Sequence, residues 1–257
     1  MDRPHNFGGN NVKTAQGAII FIFFFLLQGA SFEANFHLEY VVLLHGLGRS
    51  KSSMTKLENH LSIAGYEVLN LDYPSRAKTI EELARGIIPK AIESCRKRGA
   101  RKIHFVTHSM GGILVRYYLG NHNIPELGRV VMISPPNGGS EIVDRFRDNF
   151  FFKWINGPAG QQLGTDKNSV PKKLGNADFD LGIITGDRSM NLLLSLIIPG
   201  ADDGKVAVNN AKVAGMKDFI IIHASHPFIM KNNQTIEQTI AFLKNGGFQR
   251  NKPTDPL

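Results

Sequence analysis

Ser109 stands in the run Val106-Thr107-His108-Ser109-Met110-Gly111-Gly112. Before it lies an apolar, β-branched stretch, Lys102 to Val106, and after it a helical pattern from Gly111 to Gly120. A serine on such a strand-to-helix turn, with glycine two residues on, is placed to act as a nucleophile, because the tight turn lifts its hydroxyl above a sheet. The helix behind it aims backbone N–H groups at the same point. A hydroxyl is a weak nucleophile by itself. It needs a base within hydrogen-bond reach and an acid to orient that base. In a parallel sheet all strand C-terminal ends share one edge, so groups just past those ends can meet in space.

His226 follows the last apolar strand, in His223-Ala224-Ser225-His226-Pro227-Phe228, and is the favoured base. His223 is its rival, although at the strand end its side chain is expected beneath the site. His108 precedes the serine and is expected to point into the core or onto a neighbouring strand. The favoured acid is Asp203, in Gly200-Ala201-Asp202-Asp203-Gly204-Lys205-Val206. Asp202, one residue away, and Asp187, in Thr185-Gly186-Asp187-Arg188, are the alternatives, since any Asp beside Gly can be plain turn chemistry. Acyl transfer also needs donors for a developing oxyanion. On the pattern of the fold these are the backbone N–H groups of Met110 and of Leu47, in His45-Gly46-Leu47-Gly48.

These residues require elements to position them. Glu39 to Leu44 is a buried strand that runs into the His-Gly-Leu-Gly turn, and a helix over about 52–64 follows. Glu67 to Asp72 is a second strand. Thr79-Ile80-Glu81-Glu82 is a capping box that opens a long helix to about Arg98, with a kink expected at Pro89. Arg129 to Ser134, Leu181 to Thr185 and Asp218 to His223 read as strands, Ala207 to Met216 as a short helix and Gln234 to Lys244 as the last helix. Continuous apolar strands alternating with helices predict an α/β fold with a parallel sheet of about six strands, covered on both faces. Residues 141–180 are less regular and rich in aromatics (Phe146, Phe150, Phe151, Phe152, Trp154), and they read as a cap-like insertion.

Composition sets broad bounds. The 257 residues suffice for one substantial core, and 42% hydrophobic with 20% charged residues is ordinary for a globular chain. The net charge of +8 is compatible with peripheral association at anionic membrane surfaces. No basic block interleaved with aromatics points to nucleic acid. No cluster has metal-ligand spacing, and the chemistry above calls for neither metal nor cofactor. The single cysteine, Cys95, lies on an apolar helix stripe and reads as a buried structural thiol. Residues 1–34 are expected to stand outside the fold. Arg3 and Lys13 precede an apolar run from Ala18 to Leu27, and small residues follow at Gly29, Ala30 and Ser31. That is the pattern of a secretory signal, with an uncleaved anchor as the alternative, so export is expected. The domain is expected over 35–247 and a flexible tail over 248–257.

Taken together, His45-Gly46-Leu47-Gly48, His108-Ser109-Met110-Gly111-Gly112, Asp203-Gly204-Lys205-Val206 and His226-Pro227-Phe228 resemble the α/β-hydrolase superfamily, in particular small bacterial triacylglycerol lipases and esterases. The resemblance covers about residues 39–245 and has the family order Ser, Asp, His. It implies a serine hydrolase acting on a hydrophobic ester or lipid, with Ser109 attacking an acyl carbonyl. An acyltransferase or thioesterase would use the same triad, and a non-catalytic binding protein the same fold. One departure is Thr107, which stands where the elbow consensus Gly-x-Ser-x-Gly has its first glycine. The family's leading antiparallel strands are expected to be missing.

Overall fold

The computed structural model describes residues 38–250. The expectations for residues 1–34 and 251–257 lie outside the described residues. The sheet has six strands in the order β2-β1-β3-β4-β5-β6, every pair parallel. In chain order the elements are β1 (Glu39–Leu44), α1 (Thr55–Ile63), β2 (Glu67–Leu71), α2 (Ile80–Lys97), β3 (Lys102–His108) and α3 (Met110–Leu119). They continue with β4 (Leu127–Ile133), α4 (Glu141–Phe146), α5 (Phe150–Gln161), α6 (Val170–Lys173) and β5 (Leu181–Gly186). The last are α7 (Leu192–Ser195), α8 (Val208–Ala211), β6 (Asp218–Ile222) and α9 (Asn233–Asn245).

The strands read as unbroken apolar runs because successive side chains enter two different cores. Tyr40, Val42 and Leu44 of β1 join Leu83, Ile88, Ile113 and Leu114 of α2 and α3 on one face. Val41 and Leu43 join Leu57, Leu61, Ile236 and Phe242 of α1 and α9 on the other. β4 divides in the same way, with Val130 and Met132 against Val131 and Ile133. Helix ends follow the sequence signals. The Thr79 hydroxyl accepts the Glu82 N–H, and a Glu82 carboxylate oxygen accepts the Thr79 N–H. Asn232 caps α9, and Gly246 closes it in the left-handed region at φ 72°.

Several expectations shift. The helix expected over Ala207 to Met216 forms only over Val208–Ala211, because Lys212 turns extended. α2 runs through Pro89 as one helix. Cys95 is fully buried, as expected, and burial pushes its thiol pKa up to about 11. The tail does not begin at 248. Phe248 is buried against Phe242, at 5.1 Å between ring centroids, and its N–H donates to Asp218 Oδ2 at 2.7 Å. Residues 141–180 hold α4, α5, which breaks at Gly157 (φ 62°, ψ −170°), and α6, and the buried guanidinium of Arg116 in α3 ties that segment to the loop after β4. It donates to Gly175 O at 2.6 Å and to Asn137 Oδ1 at 2.9 Å.

Candidate active site

β3 ends at His108, and Ser109 is the N-cap of α3 with φ 53° and ψ −123°. A non-glycine residue there carries backbone strain of about 1–3 kcal/mol, which the surroundings must impose. They do so by close packing. A Cβ on Gly111 would meet Leu44 O at 2.7 Å and His45 O at 3.0 Å, so glycine is what lets α3 seat against the end of β1. The Ser109 N–H is itself held, donating to Ile133 O of β4 at 2.8 Å. Thr107 is accommodated in β3, fully buried. Its hydroxyl would lie 3.2 Å from a Cβ on Gly112, so the larger first elbow residue is tolerated because Gly112 yields the space.

His226 Nε2 lies 3.1 Å from Ser109 Oγ, and its Nδ1 lies 2.8 Å from Asp203 Oδ2. The carboxylate accepts, so Nδ1 carries the proton and Nε2 is left as an acceptor facing the hydroxyl. The backbone repeats the link, because the His226 N–H donates to Asp203 O at 2.8 Å. Asp203 is fully buried, and its Oδ1 accepts the Lys205 N–H at 3.0 Å and the Val206 N–H at 2.9 Å. Burial alone would raise its pKa. The charge and hydrogen bond of His226, with the Val206 N–H, outweigh this and hold the carboxyl below its ordinary value.

The rival residues go elsewhere. His223 and Asp187 pair with each other, Nδ1 to Oδ1 at 2.9 Å. His223 is 74% exposed at the end of the edge strand β6 rather than buried beneath the serine, because no further strand covers that edge. Asp202 organises its own turn, accepting from Gly204 N–H at 2.6 Å and Ser195 Oγ at 3.0 Å.

His108 faces the core, as expected, and is also part of the site. Its Nε2 lies 3.0 Å from the carbonyl of His226, which can only accept, so Nε2–H donates and pins the loop that carries His226. Burial, with the neighbouring His226 charge, pushes its pKa well below the ordinary histidine value, and it stays neutral. The turn after β1 is fixed by side chains that sequence reasoning did not single out. The His45 ring stacks on Tyr73 at 4.1 Å, and the Tyr73 hydroxyl donates to the His45 carbonyl. Tyr73 follows β2, so this contact depends on β1–β2 pairing and has no local signal. A Cβ on Gly46 would stand 2.9 Å from His108 Nδ1 and 3.1 Å from Ser109 Cβ. The turn therefore approaches the elbow through a glycine. Among the described residues the backbone N–H groups of Leu47 and Met110 donate to no other protein group, which leaves both open for a ligand.

A cleft of about 640 Å³, open to solvent, holds Ser109 and His226, and Leu47, Ile142, Val143, Phe152, Leu163 and Val206 supply its apolar wall. No group of three metal-ligating side chains occurs among the described residues.

The sequence model of the Alpha/beta hydrolase family matches residues 41–208. The chain belongs to that family. No curated protein sequence matches it. Among solved structures it resembles the mature Bacillus licheniformis lipase BlEst2, at 20% identity and a TM-score of 0.66, over 80% of this chain and 92% of that one. It also resembles the phospholipase PlaB from Legionella pneumophila, at 15% identity and a TM-score of 0.61, over 80% of this chain and 62% of the other. A third is the Pyrococcus furiosus esterase Pf2001, at 18% and 0.56, over 80% and 82%. At these identities the likeness establishes the fold. The α/β-hydrolase architecture with a six-stranded parallel sheet, expected from the motifs, is what this family hydrolase has.

Proposed function

We propose that this hydrolase cleaves carboxylic esters of the lipase or esterase type through Ser109, His226 and Asp203. The supporting observation is the continuous relay from Ser109 Oγ through His226 to buried Asp203, beside two uncommitted backbone N–H groups. In the first half-reaction Ser109 Oγ bonds to the acyl carbon while His226 Nε2 takes its proton. The carbonyl oxygen becomes an oxyanion facing the Leu47 and Met110 N–H groups. The C–O bond to the alcohol then breaks, and His226 returns the proton to the departing oxygen. Water repeats the sequence on the acyl-enzyme, releasing a carboxylic acid and free Ser109. Asp203 keeps His226 in the working tautomer throughout.

The apolar wall favours a hydrophobic acyl group, and the names of the structural neighbours, lipase, phospholipase and esterase, agree with that choice. Phe150, Phe151 and Trp154 are exposed on α5, the helix that gives Phe152 to this wall, which supports peripheral association with a lipid surface. Residues 1–34 fit a secretory signal, and the intact mass of the exported chain tests its removal. A fluorophosphonate probe tests the mechanism. It is expected to label wild type at Ser109 and not Ser109→Ala, and ester turnover by Ser109→Ala equal to wild type would refute the assignment.

A further inference from the structure

Inside the cleft the apolar wall includes buried Val143, Leu163 and Val206, whereas Arg49 and Lys205, at its rim, are exposed. Among the described residues no carboxylate belongs to the lining. The other polar lining groups are committed elsewhere. The Ser140 hydroxyl donates to Lys205 O at 2.8 Å, the Asn156 amide donates to Phe152 O at 2.9 Å, and His226 serves Ser109 and Asp203. Among the described residues neither Arg49 nor Lys205 forms a side-chain ion pair, and the carboxylate nearest Lys205 in sequence, Asp203, is occupied by His226 and two backbone N–H groups.

The rim cations are not loosely attached. The Lys205 backbone is held at both ends, its N–H by Asp203 Oδ1 and its carbonyl by Ser140. The Arg49 N–H donates to Gly46 O at 3.2 Å, within the turn that presents the Leu47 N–H. The loops that carry the oxyanion donor and the acid therefore each bring one cation to the mouth. The two are close enough to act on each other. Desolvation by burial, followed by the charge of Arg49, lowers the Lys205 pKa from the ordinary lysine value, and the smaller opposing charge of Asp203 does not offset them. Two like charges at one cleft, neither in a side-chain ion pair among the described residues, leave a positive field there, which an anion would relieve.

We propose that the cleft selects amphiphilic esters whose acyl chain is apolar and whose alcohol portion is anionic, with Arg49 and Lys205 binding that anion at the rim. This deepens the ester-hydrolase reading and rests on it. The acyl chain takes the buried apolar wall, and the alcohol leaves past the cations, so charge is read on the leaving-group side.

The experiment compares 4-nitro-3-(octanoyloxy)benzoate with 2-nitrophenyl octanoate, which lacks the carboxylate, each rate being normalised to the ester's hydrolysis by hydroxide. At low ionic strength wild type is expected to favour the anionic ester by about tenfold or more in kcat/KM, and added salt is expected to shrink that preference. The ratio should collapse towards one in Arg49→Gln with Lys205→Gln, whatever happens to the absolute rates, and persist in Arg49→Lys with Lys205→Arg. If wild type turns over the neutral ester but shows no salt-sensitive preference for the anionic one, the substrate assignment fails and the serine-hydrolase reading stands. A preference that survives in the double Gln variant overturns it equally. If neither ester is hydrolysed and the fluorophosphonate does not label Ser109, both fall together.

Discussion

Replacing Asp203 by Asn keeps the shape and removes the charge, and the surrounding hydrogen bonds dictate which way the amide turns. Asp203 Oδ1 accepts two buried backbone N–H groups, from Lys205 at 3.0 Å and Val206 at 2.9 Å. An amide NH₂ placed there would face two donors and forfeit both bonds, at about 1–3 kcal/mol each, so ~2–6 kcal/mol keeps the amide oxygen in that position. The NH₂ then points at His226 Nδ1, which lies 2.8 Å from the other carboxylate oxygen. Nδ1 must accept, so the imidazole proton moves to Nε2 and faces Ser109 Oγ, and the base is lost. A fall in kcat of roughly 10⁴ is expected at neutral pH, the scale for an orienting acid converted to its amide. Initial rates on a chromogenic ester would be measured for Asp203→Asn, Asp202→Asn and Asp187→Asn, with circular dichroism to establish folding. Asp202→Asn and Asp187→Asn should stay within about threefold of wild type, since neither contacts His226. A folded Asp203→Asn that keeps more than about a tenth of wild-type kcat would refute the reasoning, as would an equal loss in Asp187→Asn.

Gly111→Ala drives a Cβ to 2.7 Å from the Leu44 carbonyl, a backbone atom that cannot step aside, and is expected to cost about 1–3 kcal/mol in denaturant unfolding. An unchanged midpoint would mean that α3 is free to shift. His108 is neutral because burial lowers its pKa, so below about pH 6.5 the unfolded chain binds a proton that the fold does not. Stability therefore falls as pH drops through that window, by up to about 1.4 kcal/mol per pH unit from this group. Unfolding at pH 7 and pH 5 should show a shallower dependence in His108→Gln, and an identical slope would place the effect elsewhere. The exposed Phe150, Phe151 and Trp154 are expected to carry binding to anionic vesicles in flotation, weakened at least severalfold when all three become Ser. Equal flotation of the variant would exclude α5 as the contact.

Much of the fold was legible because it depends on local rules. Runs such as Tyr40 to Leu44 announce strands buried on both faces, and the Thr79–Glu82 box and Gly246 mark helix ends through contacts within one turn. The serine motif was equally local, since a strand, a serine and two glycines in succession describe one turn. Where the histidine and acid would meet it was a weaker inference. Asp203 and Asp187 each lie beside a glycine and Asp202 one residue further off, and nothing in those few residues separates a turn from an acid facing a histidine. His226 and His223 differ by only three positions.

Tertiary structure decided among them. Asp203 reaches His226 because its loop folds back over the end of β5, where a Cβ on Gly186 would stand 3.0 Å from its Cβ, while Asp187 and His223 turn to each other at the open edge of β6. The same holds for His108, whose position before Ser109 is plain in sequence but whose bond to the His226 carbonyl joins residues 118 positions apart. Thr107 stood out as a mismatch to the elbow pattern, and only packing reveals that Gly112 makes room for it. The strands, the caps and the serine turn are written in the sequence, because their energetics are settled by neighbours a few residues away. Which histidine and which aspartate meet Ser109, and which side chains share its cleft, arise where distant loops converge on one sheet edge, and register and packing set those distances.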